Sequence, residues 1–433
     1  MKKSRKIMAG CATVASVALL AGALFACAPQ GEPTPATGGE ATPEAAADLT
    51  ADMPDNLTYA ELAERFPNEY ATAMTGKTDE EGEDNSHAGF QPLMESPAKR
   101  DVSGAIIELV DEDDPEKTDV ALKCVACKTS RFMDFYEKDG LTAYTDRILD
   151  ADSMKVINGE YWDCYSCHVV KDGQWVNQAN AAWANEKFAP NVSKFMQSLN
   201  PKEAVCGQCH NTVSPRAYIT DEATQASYDP YRYGPGLDER YKAMVEDGIY
   251  VTDEATGVKM VTMNHPQIEV FQGSNHQAMG LTCIDCHMTQ AEAEDGSTYT
   301  SHNASGSVAE NDAAMEKCLT CHTNKSGVST VEEMRAFLKE NQAAQAQRHN
   351  EVAEKLDALY EAIVAAGKDG SVEAADLEKA KDNYSLANWY VAEEQGNLFD
   401  PVDGAQLPHN PELLRQCLER ADVLIDEGVE LLA

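Results

Sequence analysis

The chain has 433 residues, with 73 acidic against 35 basic side chains and a net charge of −38. Such acidity argues against a nucleic-acid partner and against adhesion to anionic lipid, since both select positive faces. Thirteen cysteines in a chain of this length point instead to a covalent or metal framework.

Residues 1–26 read as an export signal. Lys2, Lys3, Arg5 and Lys6 make a positive start, and Ile7 to Ala26 is apolar. The run ends Leu24-Phe25-Ala26-Cys27, which resembles the lipobox of bacterial lipoproteins. That pattern predicts cleavage before Cys27, lipidation of its thiol, and an extracytoplasmic protein (periplasm or cell surface) tethered to a membrane. A plain signal peptide or an uncleaved anchor helix is the alternative. Removing residues 1–26 takes away four positive charges and no negative one, lowering the net charge from −38 to −42. Residues 27–55 are rich in Pro, Gly, Ala, Thr and Glu, cannot bury a core, and read as a flexible tether. No second apolar span follows.

Residues 56–328 carry the chemistry. Ten cysteines fall in five CxxC units: Cys124/Cys127, Cys164/Cys167, Cys206/Cys209, Cys283/Cys286 and Cys318/Cys321. Four units are followed by His168, His210, His287 and His322, and the first by Lys128. Two cysteines three apart can form thioethers to one haem, with the next side chain aimed at the iron. Five units imply five covalent c-type haems. A zinc site pairs CxxC units and needs no fixed residue after them. A disulfide framework does not explain the histidines either. The gaps between units, 40, 42, 77 and 35 residues, are too irregular for a repeat. Haems are large flat apolar bodies that replace side-chain core, so short helices and little sheet are expected around them.

Lys128 marks the haem expected to react. An amine binds iron only when neutral, so burial beside the metal must suppress its proton. The alternative is that a remote histidine serves that haem.

Residues 329–433 read as a helical region. Ser329-Thr330-Val331-Glu332 suggests a capping box. Val352, Leu356, Leu359, Tyr360 and Ile363 follow helical spacing, with Gly367 as a stop. A second helix is expected over about 372–395. A third starts at Asn410-Pro411 and runs through Leu414, Cys417, Leu418, Ala421, Leu424, Ile425 and Val429. These seams predict core packing or a subunit interface, with Cys417 as a small buried hydrophobe.

Ten histidines are present, and six lie outside the motifs: His87, His265, His276, His302, His349 and His409. Electron-transfer haems take two strong axial ligands, and a reactive haem keeps one position open. Four distal ligands and one histidine facing the open position leave His349 over, mid-helix among polar residues. Counting alone assigns none of them.

The whole arrangement, one CxxCK unit ahead of four CxxCH units, resembles the pentahaem cytochrome c nitrite reductases. Further matches are Asn264-His265-Pro266-Gln267 before the fourth unit, Leu281-Thr282 leading into Cys283, Ser301-His302, and Pro408-His409-Asn410-Pro411-Glu412. The likeness runs over roughly residues 85–432. It implies a mainly α multihaem cytochrome c fold around five covalent haems, with long C-terminal helices. It implies that His302 caps the second haem, His87 the third, His409 the fourth and His276 the fifth. His265 would face the open iron of the first, beside an arginine for which Arg100 is the nearest fit, ahead of Lys99 and Arg131.

Two departures stand out. The family has Glu and Tyr soon after the third unit; here Tyr218 fits only with three residues inserted, and the glutamate is gone. The family's Lys and Gln before the active-site histidine are Thr262 and Asn264. Calcium therefore loses most of its usual ligands and is left open as a cofactor, with Arg216 able to supply positive charge.

The implied activity is six-electron reduction of nitrite to ammonium, with Lys128, His265, Arg100 and Tyr218 at the reacting centre. The implied partners are a membrane-bound quinol-oxidising multihaem cytochrome as electron donor and a second copy of the chain. A related reductase acting on hydroxylamine or sulfite, and a non-catalytic multihaem electron-transfer cytochrome, are the alternatives.

Overall fold

A computed structural model describes residues 53–54, 57–73, 126, 130–145, 164–212, 219–261, 265–304, 308–396 and 404–433. The chain divides into two compact units, Met1–Asp48 and Leu49–Ala433, and every described residue belongs to the second. The leader, Cys27, His87, Lys99, Arg100, Cys124, Cys127, Lys128, Arg216 and Tyr218 lie outside the described residues.

The described chain is mainly helical. Every described α-helix ahead of Asp312 has ten residues or fewer. The first, Tyr59–Arg65, is set by Thr58, whose hydroxyl caps Glu61 N–H while the Glu61 side chain returns to Thr58 N–H. Sheet is limited to three two-stranded antiparallel hairpins. One starts at the second motif's histidine: His168–Lys171 pairs with Gln174–Asn177, in the register Val170 with Trp175. Its turn is Asp172-Gly173, with φ of 53° and 76°. Positive φ at both positions is the geometry a twisted two-residue hairpin selects. The other hairpins pair Val251–Thr252 with Lys259–Met260 and Gln290–Glu292 with Thr298–Thr300.

Three long helices close the chain: Val331–Asp369, Ala374–Gln395 and Pro411–Leu432. Val352, Leu356, Leu359, Ile363, Ala387, Trp389, Leu418 and Ile425 join one buried core with Trp183, Phe188 and Met196 from the motif region. Gly428 lets two helices meet, since a Cβ there would lie 2.9 Å from Leu359 Cδ2.

Several helix ends differ from the sequence expectation. The capping box sits one residue later: Thr330 is the N-cap and Glu333 its partner. The first long helix passes through Gly367 and ends at Gly370, φ 66°. One helical glycine costs only about 1 kcal/mol, which packing easily outweighs. Asn410 and Pro411 cap and open the last helix as read, and Cys417 is buried on it. Val429, however, is 46% exposed, and Val423 is 58% exposed. His349 is not a polar-face residue: it is 4% exposed and points at Glu394.

Candidate haem-binding centre

The described motif cysteines are Cys164 and Cys167, Cys206 and Cys209, Cys283 and Cys286, and Cys318 and Cys321. No disulfide joins any of them. A tight turn sets each early pair: Cys167 N–H donates to Cys164 O at 3.2 Å, and Cys209 N–H to Cys206 O at 3.1 Å. Cys318 and Cys321 lie on the helix Asp312–Ser326, where residues three apart share a face. Among the described motif cysteines Cys321 is exposed and the others are half-buried. The reason is local: these short turns and the helix face carry the thiols on the rim of the side-chain packing. Cys167 Sγ lies 3.9 Å from the Val205 carbonyl, and Cys321 Sγ lies 3.7 Å from the neighbouring Thr320 hydroxyl.

Three of the four motif histidines face a remote histidine. The ring centres are 6.2 Å apart for His168 and His302, 6.1 Å for His287 and His409, and 6.4 Å for His322 and His276. An iron bound by Nε2 of two rings needs about 2 Å for each bond and about 1.1 Å from each nitrogen to its ring centre, about 6.2 Å in all. The spacing therefore fits a metal between each pair. The pairings are those the resemblance implies for the second, fourth and fifth haems.

The other ring nitrogens are tied back, as they are in histidine metal ligands generally. Nδ1–H of His302 donates to Thr300 O at 2.9 Å, His409 to Gln406 O at 3.0 Å, His276 to Pro408 O at 2.8 Å and His287 to Ala304 O at 3.2 Å. His322 Nδ1 lies 3.1 Å from Ser326 Oγ. Each bond engages Nδ1 and leaves Nε2 as the nitrogen available to a metal. His168 is oriented differently, by packing on Trp175 across the hairpin at 4.9 Å; its Nδ1 is buried without a partner among the described residues.

Short segments bind neighbouring centres together. Residues 300–304 carry His302 and supply the carbonyl for His287. The segment itself is held where His302 N–H donates to Thr72 Oγ1 at 2.9 Å. The loop 404–410 carries His409 and supplies the Pro408 carbonyl for His276. Gly404, φ 74°, begins that loop, and a Cβ there would lie 2.2 Å from Gln342 O. Only glycine fits that turn and that approach. Asn410 Nδ2 fastens its other end to Val270 O at 3.0 Å. The thiols of Cys206 and Cys283 also adjoin, and this contact raises the affinity of Cys283 for its proton.

Burial lowers the proton affinity of four ring systems. His168 is pushed down to about 3 by burial and then by His302, and His409 to about 4 by burial and then by His287. His287 and His302 are lowered as well, chiefly by burial. Neutral imidazole, with a free Nε2 lone pair, is the ligating form.

His210 and His265 stand differently. Their ring centres are 5.5 Å apart with planes at 80°. That spacing is shorter than the 6.1–6.4 Å of the other three pairs and than a metal in line between two rings needs. His265 adopts φ 55°, one of two positive-φ residues among those described that are not glycine. Positive φ is uncommon outside glycine, though histidine adopts it more often than most residues.

Three consecutive residues after His265-Pro266 grip the exit of the third motif. Gln267 Oε1 lies 3.2 Å from His210 Nδ1. Ile268 N–H donates to His210 O at 3.1 Å. Glu269 Oε1 accepts from Thr212 N–H at 2.9 Å. Gly207, between the third motif's cysteines, permits the approach: a Cβ there would lie 2.9 Å from Ile268 Cγ1.

Sequence reasoning missed Glu269, Arg240 and Glu393, and quoted Gln267 only as part of the matching segment. The signal for Arg240 is a charged residue spaced three from both Leu237 and Ala243 on one helix face. Arg131, a competitor for Arg100, pairs with Asp134 and is 42% exposed. Of the first motif only Ala126 is described, fully buried. Among the described residues no three His, Cys, Asp or Glu side chains cluster as a zinc site requires.

The fold matches that of the cytochrome c nitrite reductase catalytic subunit of Desulfovibrio desulfuricans, a protein described with two calcium sites. The TM-score is 0.64 at 17% identity, over 87% of this chain and 86% of that one. The sequence profile of cytochrome c552 matches residues 104–422, which span the five motifs and most of the C-terminal helices. A haem-motif array, opposed imidazoles at iron-spanning distance and a family match over that length leave one assignment: this chain belongs to the cytochrome c552 family.

Proposed function

We propose that the protein is an exported oxidoreductase that reduces nitrite to ammonium at a Lys128-ligated haem, fed by four bis-histidine haems. The observation that carries this reading is the set of three opposed histidine pairs at 6.1–6.4 Å, each joining a motif histidine to a remote one. The family match and the fold of the Desulfovibrio enzyme support it.

Cys124 and Cys127 would hold the reactive haem, with Lys128 on its iron. Cys164 with Cys167, Cys206 with Cys209, Cys283 with Cys286 and Cys318 with Cys321 would hold the other four, with His302, His87, His409 and His276 as their distal ligands. Sulfurs at the rim suit this role, because a haem edge must reach them. When bound, the haems supply single-electron steps and one open iron position for a small anion. The chain's part is binding and proton handling. Arg100 places positive charge where the anion docks. His265, fixed by Pro266 and the 267–269 grip, passes a proton to a departing nitrite oxygen, and Tyr218 orders that transfer. Charge is thereby neutralised as each N–O bond breaks. The missing glutamate after His210 keeps a related reductase of hydroxylamine or sulfite as the alternative reading and leaves calcium open.

The leader places the protein in the periplasm or at the cell surface, with Cys27 as lipid anchor. A membrane quinol-oxidising multihaem cytochrome then suits it as donor. Among the described residues no helix is long and apolar enough to cross a membrane. A homodimer through the C-terminal helices suits the exposed Val423 and Val429.

Purified holoprotein with reduced viologen should convert nitrite to ammonium, and its EPR spectrum should contain a high-spin signal that nitrite alters. Lys128→His should lower turnover at least tenfold, roughly the loss of 1.4 kcal/mol of transition-state stabilisation. Unchanged turnover in that variant, or five low-spin haems blind to nitrite, removes the catalytic reading.

A further inference from the structure

Beside the grip on the third motif lies a buried acidic cluster that nitrite chemistry does not use. Glu393, fully buried on the helix Ala374–Gln395, accepts from Arg240 Nη2 at 2.5 Å through Oε1. Arg240 is 1% exposed and also donates to Thr212 Oγ1 and to Pro235 O at 3.0 Å. Glu269, 4% exposed, accepts from Thr212 N–H and, at 2.6 Å, from the Tyr231 hydroxyl. Oε2 of Glu269 and Oε2 of Glu393 have no partner among the described residues. The guanidinium pairs with Glu393 alone and acts on Glu269 only at longer range, and one oxygen of each carboxylate is unsatisfied. An excess buried negative charge is costly, and a proton relieves it.

The cluster adjoins the His210 centre. Thr212 lies two residues beyond His210, so their Cα atoms are at most about 7.6 Å apart. Ile268, next to Glu269, hydrogen-bonds the His210 carbonyl.

We propose that Glu393 takes up a proton from solvent when the haem ligated by His210 is reduced, so that this centre stores a proton with its electron. The inference rests on the haem reading above. The step balances: one electron from the external donor turns ferric iron ferrous, and one proton from water forms an O–H bond on Glu393. Reoxidation by the reacting centre returns both. For scale, a unit charge about 10 Å from any carboxylate changes its proton affinity roughly tenfold at an effective dielectric of about 20, and the effect falls with distance.

The neighbours leave Glu393 as the site. Burial first, and then the Glu269 charge, raise its proton affinity to about 7 against the opposing pull of Arg240. Glu394, next on the helix, is satisfied by His349 at 2.5 Å and Gln345 at 2.9 Å. Burial holds the Cys417 thiol and the Tyr231 hydroxyl in their protonated forms.

The test is a spectroelectrochemical titration of the holoenzyme between about pH 5.5 and 8.5, across the affinity above. In the parent, one bis-histidine haem should lose potential as pH rises. In Glu393→Gln that slope should vanish while the other haems keep theirs. An unchanged slope in the variant overturns the inference and leaves the haem reading intact. Should the variant fail to load haem, redox-difference infrared spectra of the parent decide. A carboxylic-acid carbonyl band should appear on reduction, and its absence overturns the proposal. A parent chain without covalent haem overturns the haem reading and this inference with it.

Discussion

Gly207 tests the geometry around His265 directly. Gly207→Ala places a methyl 2.9 Å from Ile268 Cγ1 and 3.3 Å from both Cβ and Cδ1 of that side chain. Ordinary carbon contacts begin near 3.5–4.0 Å, so the Gln267–Phe271 helix must retreat by about 0.5–1 Å. Two effects compete. Alanine near a helix end gains about 0.5–1 kcal/mol over glycine. Overpacking a buried contact costs about 1–3 kcal/mol. Ile268 is 2% exposed and anchored by its backbone to His210, so the cost wins, with a net loss of about 1 kcal/mol. The same retreat carries His265, three residues earlier. A displacement near 1 Å can lower turnover roughly a hundredfold. Denaturant titration and nitrite kinetics on samples of equal haem content read both effects. Gly207→Ala/Ile268→Ala, which deletes the clashing atoms, should be less impaired than the sum of its single variants. A Gly207→Ala protein more stable than the parent, with unaltered kinetics, would show that helix propensity rules at this position and that the grip on the third motif is incidental.

Two further outcomes are expected. His409→Gly removes the ring 6.1 Å from His287 and should convert one low-spin haem to high spin, read by EPR; a spectrum identical to the parent's would reassign the fourth haem's ligand. Glu393 gives a pH signature of stability. Its folded affinity lies at about 7 against the ordinary 4.5, so the folded state holds more protons than the unfolded chain between those values. Its contribution is fully present below about pH 4.5 and is lost as pH rises through 7, about 1.4 kcal/mol per unit and about 3 kcal/mol in all. Relative to the parent, Glu393→Gln should lack this decline in denaturant titrations across that window. A parent-minus-variant difference that is flat, or that grows with pH, would refute it.

The sequence by itself determined the chemistry. A thioether haem site is a local object: two cysteines, the residue after them and nothing else in the chain are needed to recognise it. The same holds for the Asn410-Pro411 helix start and for the seam through Leu414, Cys417 and Leu418, because caps and helical spacing are read within a few residues. Which remote histidine opposes which motif is not local. Spacing alone does not pair His302 with His168 across 134 residues, and the resemblance carried that assignment. Only the tertiary structure could bring the rings to 6.2 Å and supply the carbonyls of Thr300, Gln406 and Pro408 that orient them. It also decided how deep the thiols sit, with Cys167 and Cys209 half-buried and Cys321 exposed, because depth depends on what packs around a turn rather than on the turn's own sequence. His349, left over by counting and set among polar neighbours, is buried against Glu394, because burial is decided by what packs opposite. The Arg240, Glu269 and Glu393 cluster joins three segments with no shared sequence pattern, because an ion pair is defined by distance in space and leaves only one trace in the chain, a charge on an otherwise apolar face.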